Sequence, residues 1–205
     1  MTLDYLRDPR AIYARSFELI RAEADLSQFA ADARTIATRV IHACGMPDIA
    51  ADLRISESFH RSASAALSTG RPILADAEMV RHGFIDKTLN VICTLNDPRS
   101  RNIGITQGTT RSAAAVELWL PHLKGSLVVI GNAPTALFAL LEAIDAGAPR
   151  PAAIAAFPVG FVGAAESKAE LVSNPRGIPF VTLLGRRGGS AMASAVVNAL
   201  TREEP

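Results

Sequence analysis

Cysteine is scarce in this chain: Cys44 and Cys93 are the only two, and they do not form a CxxC pair. That excludes a disulfide framework and a thiolate zinc site, and leads us to expect reduced thiols in a cytosolic protein. Lysine is scarce as well. Apart from Lys87, Lys124 and Lys168, every basic side chain is arginine, and no basic run marks a phosphate-backbone binder, so a nucleic-acid partner is not expected. No apolar stretch approaches the length that spans a bilayer, and the N-terminus Met-Thr-Leu-Asp-Tyr-Leu-Arg has no signal-like apolar core, so no membrane association is expected. The four histidines, His42, His60, His82 and His122, stand tens of residues apart without acidic or cysteine ligands at helical spacing, which gives no basis for a metal site. Neither GxGxxG after a first strand nor GxxxxGK[ST] occurs. Gly188-Gly-Ser190-Ala-Met192 starts like a nucleophile elbow but has methionine where GxSxG needs its second glycine.

What is present is a repeated grammar. Three apolar runs stop at glycine-bearing loops that open helices: Leu127-Val-Val-Ile-Gly131-Asn-Ala-Pro-Thr135, Ile154 to Gly163, and Val181 to Ser190. Parallel strands need helical crossovers, and each following helix presents unpaired N–H groups and a positive dipole end at the strand's carboxyl edge. An anionic ligand is expected there. With 205 residues, 49% apolar, and no linker-like segment, the chain reads as one domain over residues 1–205.

Periodicity predicts a helix from Asp8-Pro9 to about Ala24, then a second with the apolar stripe Phe29, Ala33, Ile36, Ala37, Val40, Ile41 and Cys44, ended by Gly45 and Pro47. A short strand at Leu53–Ser56 and a helix over 57–69 follow, then strands at Pro72–Ala75 and Asn90–Leu95 and a helix over Thr110–Leu120. The alternation implies a doubly wound, three-layer α/β/α fold with a mostly parallel, flavodoxin-like sheet.

A few polar residues stand out. On a helical wheel His42 points almost opposite its helix's apolar stripe, with Thr35, Thr38 and Arg39 nearby; it is either solvated or covered by a ligand or a second subunit. Ser16 interrupts the stripe of the first helix, and its hydroxyl either bonds back to the Ile12 carbonyl or meets a ligand. Arg111 sits in the first turn of a helix, where a cation is unfavourable without a compensating anion; solvent exposure is the alternative. Asp76 and Glu78 could simply be first-turn carboxylates.

With these residues laid out, the chain resembles the precorrin-8X methylmutases over nearly its full length. The resemblance rests on Ala11-Ile-Tyr-Ala-Arg-Ser16-Phe, Val40-Ile-His42-Ala-Cys-Gly45, Asp76-Ala-Glu-Met-Val80, Thr110-Arg111-Ser-Ala-Ala, Ile130-Gly-Asn-Ala-Pro-Thr-Ala136, Pro158 to Lys168, and Gly188 to Met192. One departure is Gly108-Thr109-Thr110-Arg111, where the family commonly has Gly-Asn-Thr-Arg. The resemblance implies a cofactor-free isomerase that moves a methyl group from carbon eleven to carbon twelve of a corrinoid ring, giving hydrogenobyrinate or its cobalt-bearing counterpart. It implies a homodimer with sites between subunits, a tetrapyrrole substrate, and His42 as proton donor and acceptor. Substrate contacts are implied at Ser16, Arg39, Asp76, Met79 and Arg111, and at the loops Gly131, Asn132, Ala133, Pro134, Thr135 and Gly160, Phe161, Val162, Gly163. A non-catalytic tetrapyrrole- or flavin-binding module of flavodoxin-like build is the alternative.

Overall fold

The computed structural model describes residues 3–201. In chain order the elements are α1 (Pro9–Glu23), α2 (Ala31–Cys44), β1 (Leu53–Ile55), α3 (Phe59–Ser68), β2 (Ile73–Ala75), α4 (Glu78–Gly83), β3 (Val91–Ile92), α5 (Pro98–Gln107), α6 (Arg111–Glu117), β4 (Leu127–Ile130), α7 (Pro134–Asp145), β5 (Ala153–Ala156), α8 (Ala164–Ser173), β6 (Phe180–Leu183) and α9 (Ser190–Thr201). Short 3-10 turns lie at Pro47–Asp52 and Leu120–His122.

The strands form one sheet in the order β1-β6-β5-β4-β2-β3, parallel throughout except that β1 runs antiparallel to β6. Counted from β2, the five parallel strands follow the flavodoxin order second, first, third, fourth, fifth. From β2 the chain steps to one edge, and from β4 it steps towards the other. The crevice where the winding reverses therefore opens above the carboxyl ends of β2 and β4, the ligand position of doubly wound sheets.

Both faces of the sheet are covered, which explains why its strands read as unbroken apolar runs. Ile73, Ala75, Leu127, Val129, Ala153, Ala155, Val181 and Leu183 pack with α2, α3, α4 and α9. Leu74, Val128, Ile130, Ile154 and Ala156 pack with α6, α7 and α8. Each parallel strand thus divides its alternate side chains between the two faces, as the pleat requires.

The first helix begins where capping chemistry places it: the Asp8 carboxylate accepts from the amides of Arg10 and Ala11, with Pro9 in the first turn. Gly45, at φ 68°, ends α2 in a left-handed cap. Two local expectations change. The strand at 90–95 shrinks to Val91–Ile92, and α5, which apolar periodicity did not reveal, occupies Pro98–Gln107 behind an Asp97 cap.

Candidate functional site

His42 is not the outward-facing residue that the wheel of an isolated helix suggests. Helix α2 packs against α9 on one side and α1 on the other, so Thr38 and Arg39 are buried and His42 is half-buried. The cover comes from one face of α1. Tyr13 stacks on the imidazole with ring centroids 5.4 Å apart, and Phe17 meets it tilted at 5.3 Å. Between them on that face, the Ser16 hydroxyl lies 2.9 Å from His42 Nδ1. Ser16 is thus engaged across the helix pair and not with the Ile12 carbonyl.

This contact fixes the imidazole's orientation and leaves Nε2 as the ring nitrogen available for chemistry. Burial, reinforced by the neighbouring Arg39 charge, holds the imidazole below its ordinary pKa. Arg39 sits one turn before His42, 6% exposed, with its guanidinium 5.2 Å from the Phe17 ring centre and its Nε without a hydrogen-bond partner. Both side chains line an open groove of about 410 Å³, walled also by Tyr13, Met79, Ile85 and the α9 residues Ala191, Ser194 and Asn198. Met79, 64% exposed, stands at its rim.

A second cluster lies at the winding reversal. The Asp76 carboxylate, at the end of β2, is 2% exposed and accepts from the amides of Gly131 (2.8 Å), Asn132 (3.0 Å) and Ala133 (2.8 Å). Burial pushes this carboxyl's pKa up while the three N–H donors pull it down. Asp76 precedes α4 instead of lying in its first turn, so the first-turn reading fits only Glu78. The expected anion at the β4 loop is in place, and it is the protein's own. The amides of Gly131, Asn132 and Ala133 are thereby taken. Gly131 must be glycine here: an added Cβ would fall 2.7 Å from Val80 Cγ2 and 2.8 Å from both Ala193 Cβ and Ser190 Cα.

The remaining expected contacts surround these clusters. Pro134 and Thr135 open α7, and Thr110, the cap of α6, bonds the Thr135 hydroxyl at 2.8 Å, bringing Arg111 towards the same crevice. Arg111 is exposed, and its helix belongs to the sheet face opposite His42's. Gly160, Phe161, Val162 and Gly163 form the β5–α8 loop, whose Phe161 and Val162 side chains are 84% and 88% exposed. Its neighbour, the β6–α9 loop, is held from below: the fully buried Lys168 donates to the Arg187 carbonyl, and burial pushes the ammonium pKa down to about 8. No group of three or more potential metal ligands occurs among the described residues.

The reading from sequence did not assign Tyr13, Phe17 or Asn198. For the first two a signal existed, since Tyr13, Ser16 and Phe17 share one face of a helix.

The precorrin-8X methylmutase family model matches residues 11–203. A precorrin-8X methylmutase of Pseudomonas aeruginosa is 56% identical over 205 residues, covering 98% of this chain and 99% of that protein. A cobalt-precorrin-8 methylmutase of Salmonella typhimurium is 37% identical, covering 97% of each. Among solved structures, the precorrin-8x methyl mutase of Thermus thermophilus superposes with a TM-score of 0.84 at 35% identity, over 93% of this chain and 94% of that one. No described helix is long and apolar enough to cross a membrane. On family match, identity and fold together, the chain belongs to the precorrin-8X methylmutases, isomerases of cobalamin biosynthesis.

Proposed function

We propose that this protein moves a methyl group between carbons eleven and twelve of the precorrin-8X ring, with His42 as proton donor and acceptor. The observation that carries this reading is His42, which lines the groove while Ser16 holds its Nδ1 from α1. One ring nitrogen is held, the other is free, and the imidazole is partly desolvated, the arrangement suited to a general acid and base. The rearrangement is an isomerisation, so atoms balance without a co-reactant. A proton from Nε2 to the conjugated macrocycle weakens the bond to the migrating methyl, and its return to Nε2 fixes the new tautomer as product. Holding the flat ring against the groove supplies the remainder of the rate enhancement.

The substrate's carboxylate fringe meets Arg39 in the groove and Arg111 at the crevice, with Met79, Asn132 and Thr135 beside them and Asp76 acting through the loop it holds. The groove is too small and too open to enclose a tetrapyrrole with its side chains. A second copy of the chain completes the enclosure in this proposal, presenting the β5–α8 loop with its exposed Phe161 and Val162. The protein then works as a cytoplasmic homodimer.

The test is to incubate the purified protein with precorrin-8X and with its cobalt form and follow the absorption change of each. Conversion of either to its corrin product supports the reading and selects the substrate. Conversion of neither, or full activity from a monomer by light scattering, removes the corresponding part of it.

A further inference from the structure

Arg39 is costly to the free protein as it stands. The residue is 6% exposed, its buried Nε donates to nothing, and no carboxylate pairs with it among the described residues. A buried donor left unmade is unfavourable, and a buried cation without an anion more so. The position is also specific. Arg39 and His42 lie one helical turn apart, and both line the same groove.

The elements packed around His42 supply few competing charges. From α1 it meets Tyr13, Ser16 and Phe17; across the groove stand Met79, Ile85, Ala191, Ser194, Ala195 and Asn198. Among these side chains Arg39 is the charge that faces the imidazole. An anion meeting Arg39 therefore changes the field at His42.

We propose that Arg39 couples ligand binding to the protonation of His42: a carboxylate of the bound corrinoid neutralises the guanidinium, and His42 takes one proton from solvent in the same event. The inference rests on the corrinoid reading above. The balance is simple: one proton leaves water and adds to Nε2, and no bond to the ligand forms or breaks. In the resulting imidazolium both nitrogens are donors, so Ser16 accepts from Nδ1–H and Nε2–H faces the ring. The acid is then armed only when there is something to protonate. Ligand also excludes water, which opposes protonation. Several ring carboxylates against one guanidinium leave the occupied groove net negative, and this reversal of sign decides the direction.

The depressed titration of His42 in the free protein, caused first by burial and then by the Arg39 charge, agrees with this geometry. Binding therefore takes up protons at a pH between the free and bound titration points, around the ordinary imidazole value.

The experiment is calorimetric titration with hydrogenobyrinate near pH 6.5 in buffers of different ionisation enthalpy, which counts protons exchanged per ligand. Wild-type protein takes up a measurable fraction of a proton; His42→Gln binds without uptake; Arg39→Lys keeps the uptake and Arg39→Met loses most of it. In the free protein, labelled-histidine NMR finds His42 titrating at higher pH in Arg39→Met than in wild type. Wild-type binding with no uptake overturns the proposal, as does uptake that persists in His42→Gln or a His42 titration that ignores Arg39→Met. No binding by wild-type protein removes the corrinoid reading itself, and this proposal with it.

Discussion

The His42 groove and the Asp76 corner bury polar groups a short distance apart, and treat them in opposite ways. At the corner, every buried group is answered: one carboxylate takes three backbone amides, and Gly131 lets α4 and α9 close over them. In the groove, a guanidinium nitrogen goes unanswered and an imidazole keeps one nitrogen free. Burial with full hydrogen bonding fixes a backbone in one place. Burial without it keeps binding capacity in reserve for a ligand, at some expense to stability. The difference separates a group that holds the site from groups that use it.

Mutation can break this contrast, most forcefully at His42. His42→Gln should slow methyl migration by about 10²–10⁴-fold, the usual contribution of a general acid–base, while leaving the melting temperature nearly unchanged. Wild-type turnover would show that the groove is no more reactive than the corner. Asp76→Asn should act the other way round. An amide nitrogen placed against backbone donors costs roughly 2–4 kcal/mol of stability, measured by urea unfolding, and activity falls only as the loop loosens. A variant as stable as wild type would remove the corner's structural role.

Arg39→Met sharpens the comparison. It should weaken hydrogenobyrinate binding by about 10- to 100-fold, the value of a lost charge-assisted contact, yet leave stability equal or up to about 1 kcal/mol higher. A clear loss of stability would mean that the guanidinium belongs with the answered groups. The smallest effect is expected at Lys168, whose ammonium has a depressed pKa in the folded protein. Between pH 8 and 9 the unfolded chain holds that proton and the folded one releases it, so stability rises with pH. Cys93, pushed up to about 11 by burial, has the opposite effect only above its ordinary value of 9.0. Over that window wild type should gain about 1 kcal/mol relative to Lys168→Met, and parallel pH profiles would refute the assignment.

Much of the fold was legible because local chemistry and global layout agree. The glycine loops after Ile130, Ala156 and Leu183 fall at strand ends, and Asp8, Pro9 and Gly45 bound their helices as capping rules require. Helix α5 was hidden because only Ser100 and Gly104 of it are buried, so it has no apolar stripe to read; the Asp97-Pro98 start and the Gly108 cap were its available signs. The antiparallel pairing of β1 depends on a partner 130 residues away, Leu53 against Leu183, which no local pattern encodes. At the site, the resemblance picked out His42, Ser16 and Arg39, and the structure gathers them. The wheel misread His42's surroundings because it assumes one packing partner, and α2 has two. Asp76's grip on the β4 loop spans 55 residues and is equally invisible to spacing rules.

The bond between Ser16 and His42 joins two helices of unequal standing. Helix α2 is clamped between neighbours, whereas α1 lies on the outside and buries only Phe17 and Ile20 within its length. Peripheral helices of this kind open without the rest of the molecule. Each opening strips Ser16, Tyr13 and Phe17 from the imidazole at once, so the fraction of molecules with α1 docked sets a ceiling on the active fraction. Activity should therefore fade on warming before the sheet melts, in step with amide exchange in α1, giving the protein a functional melting point below its structural one.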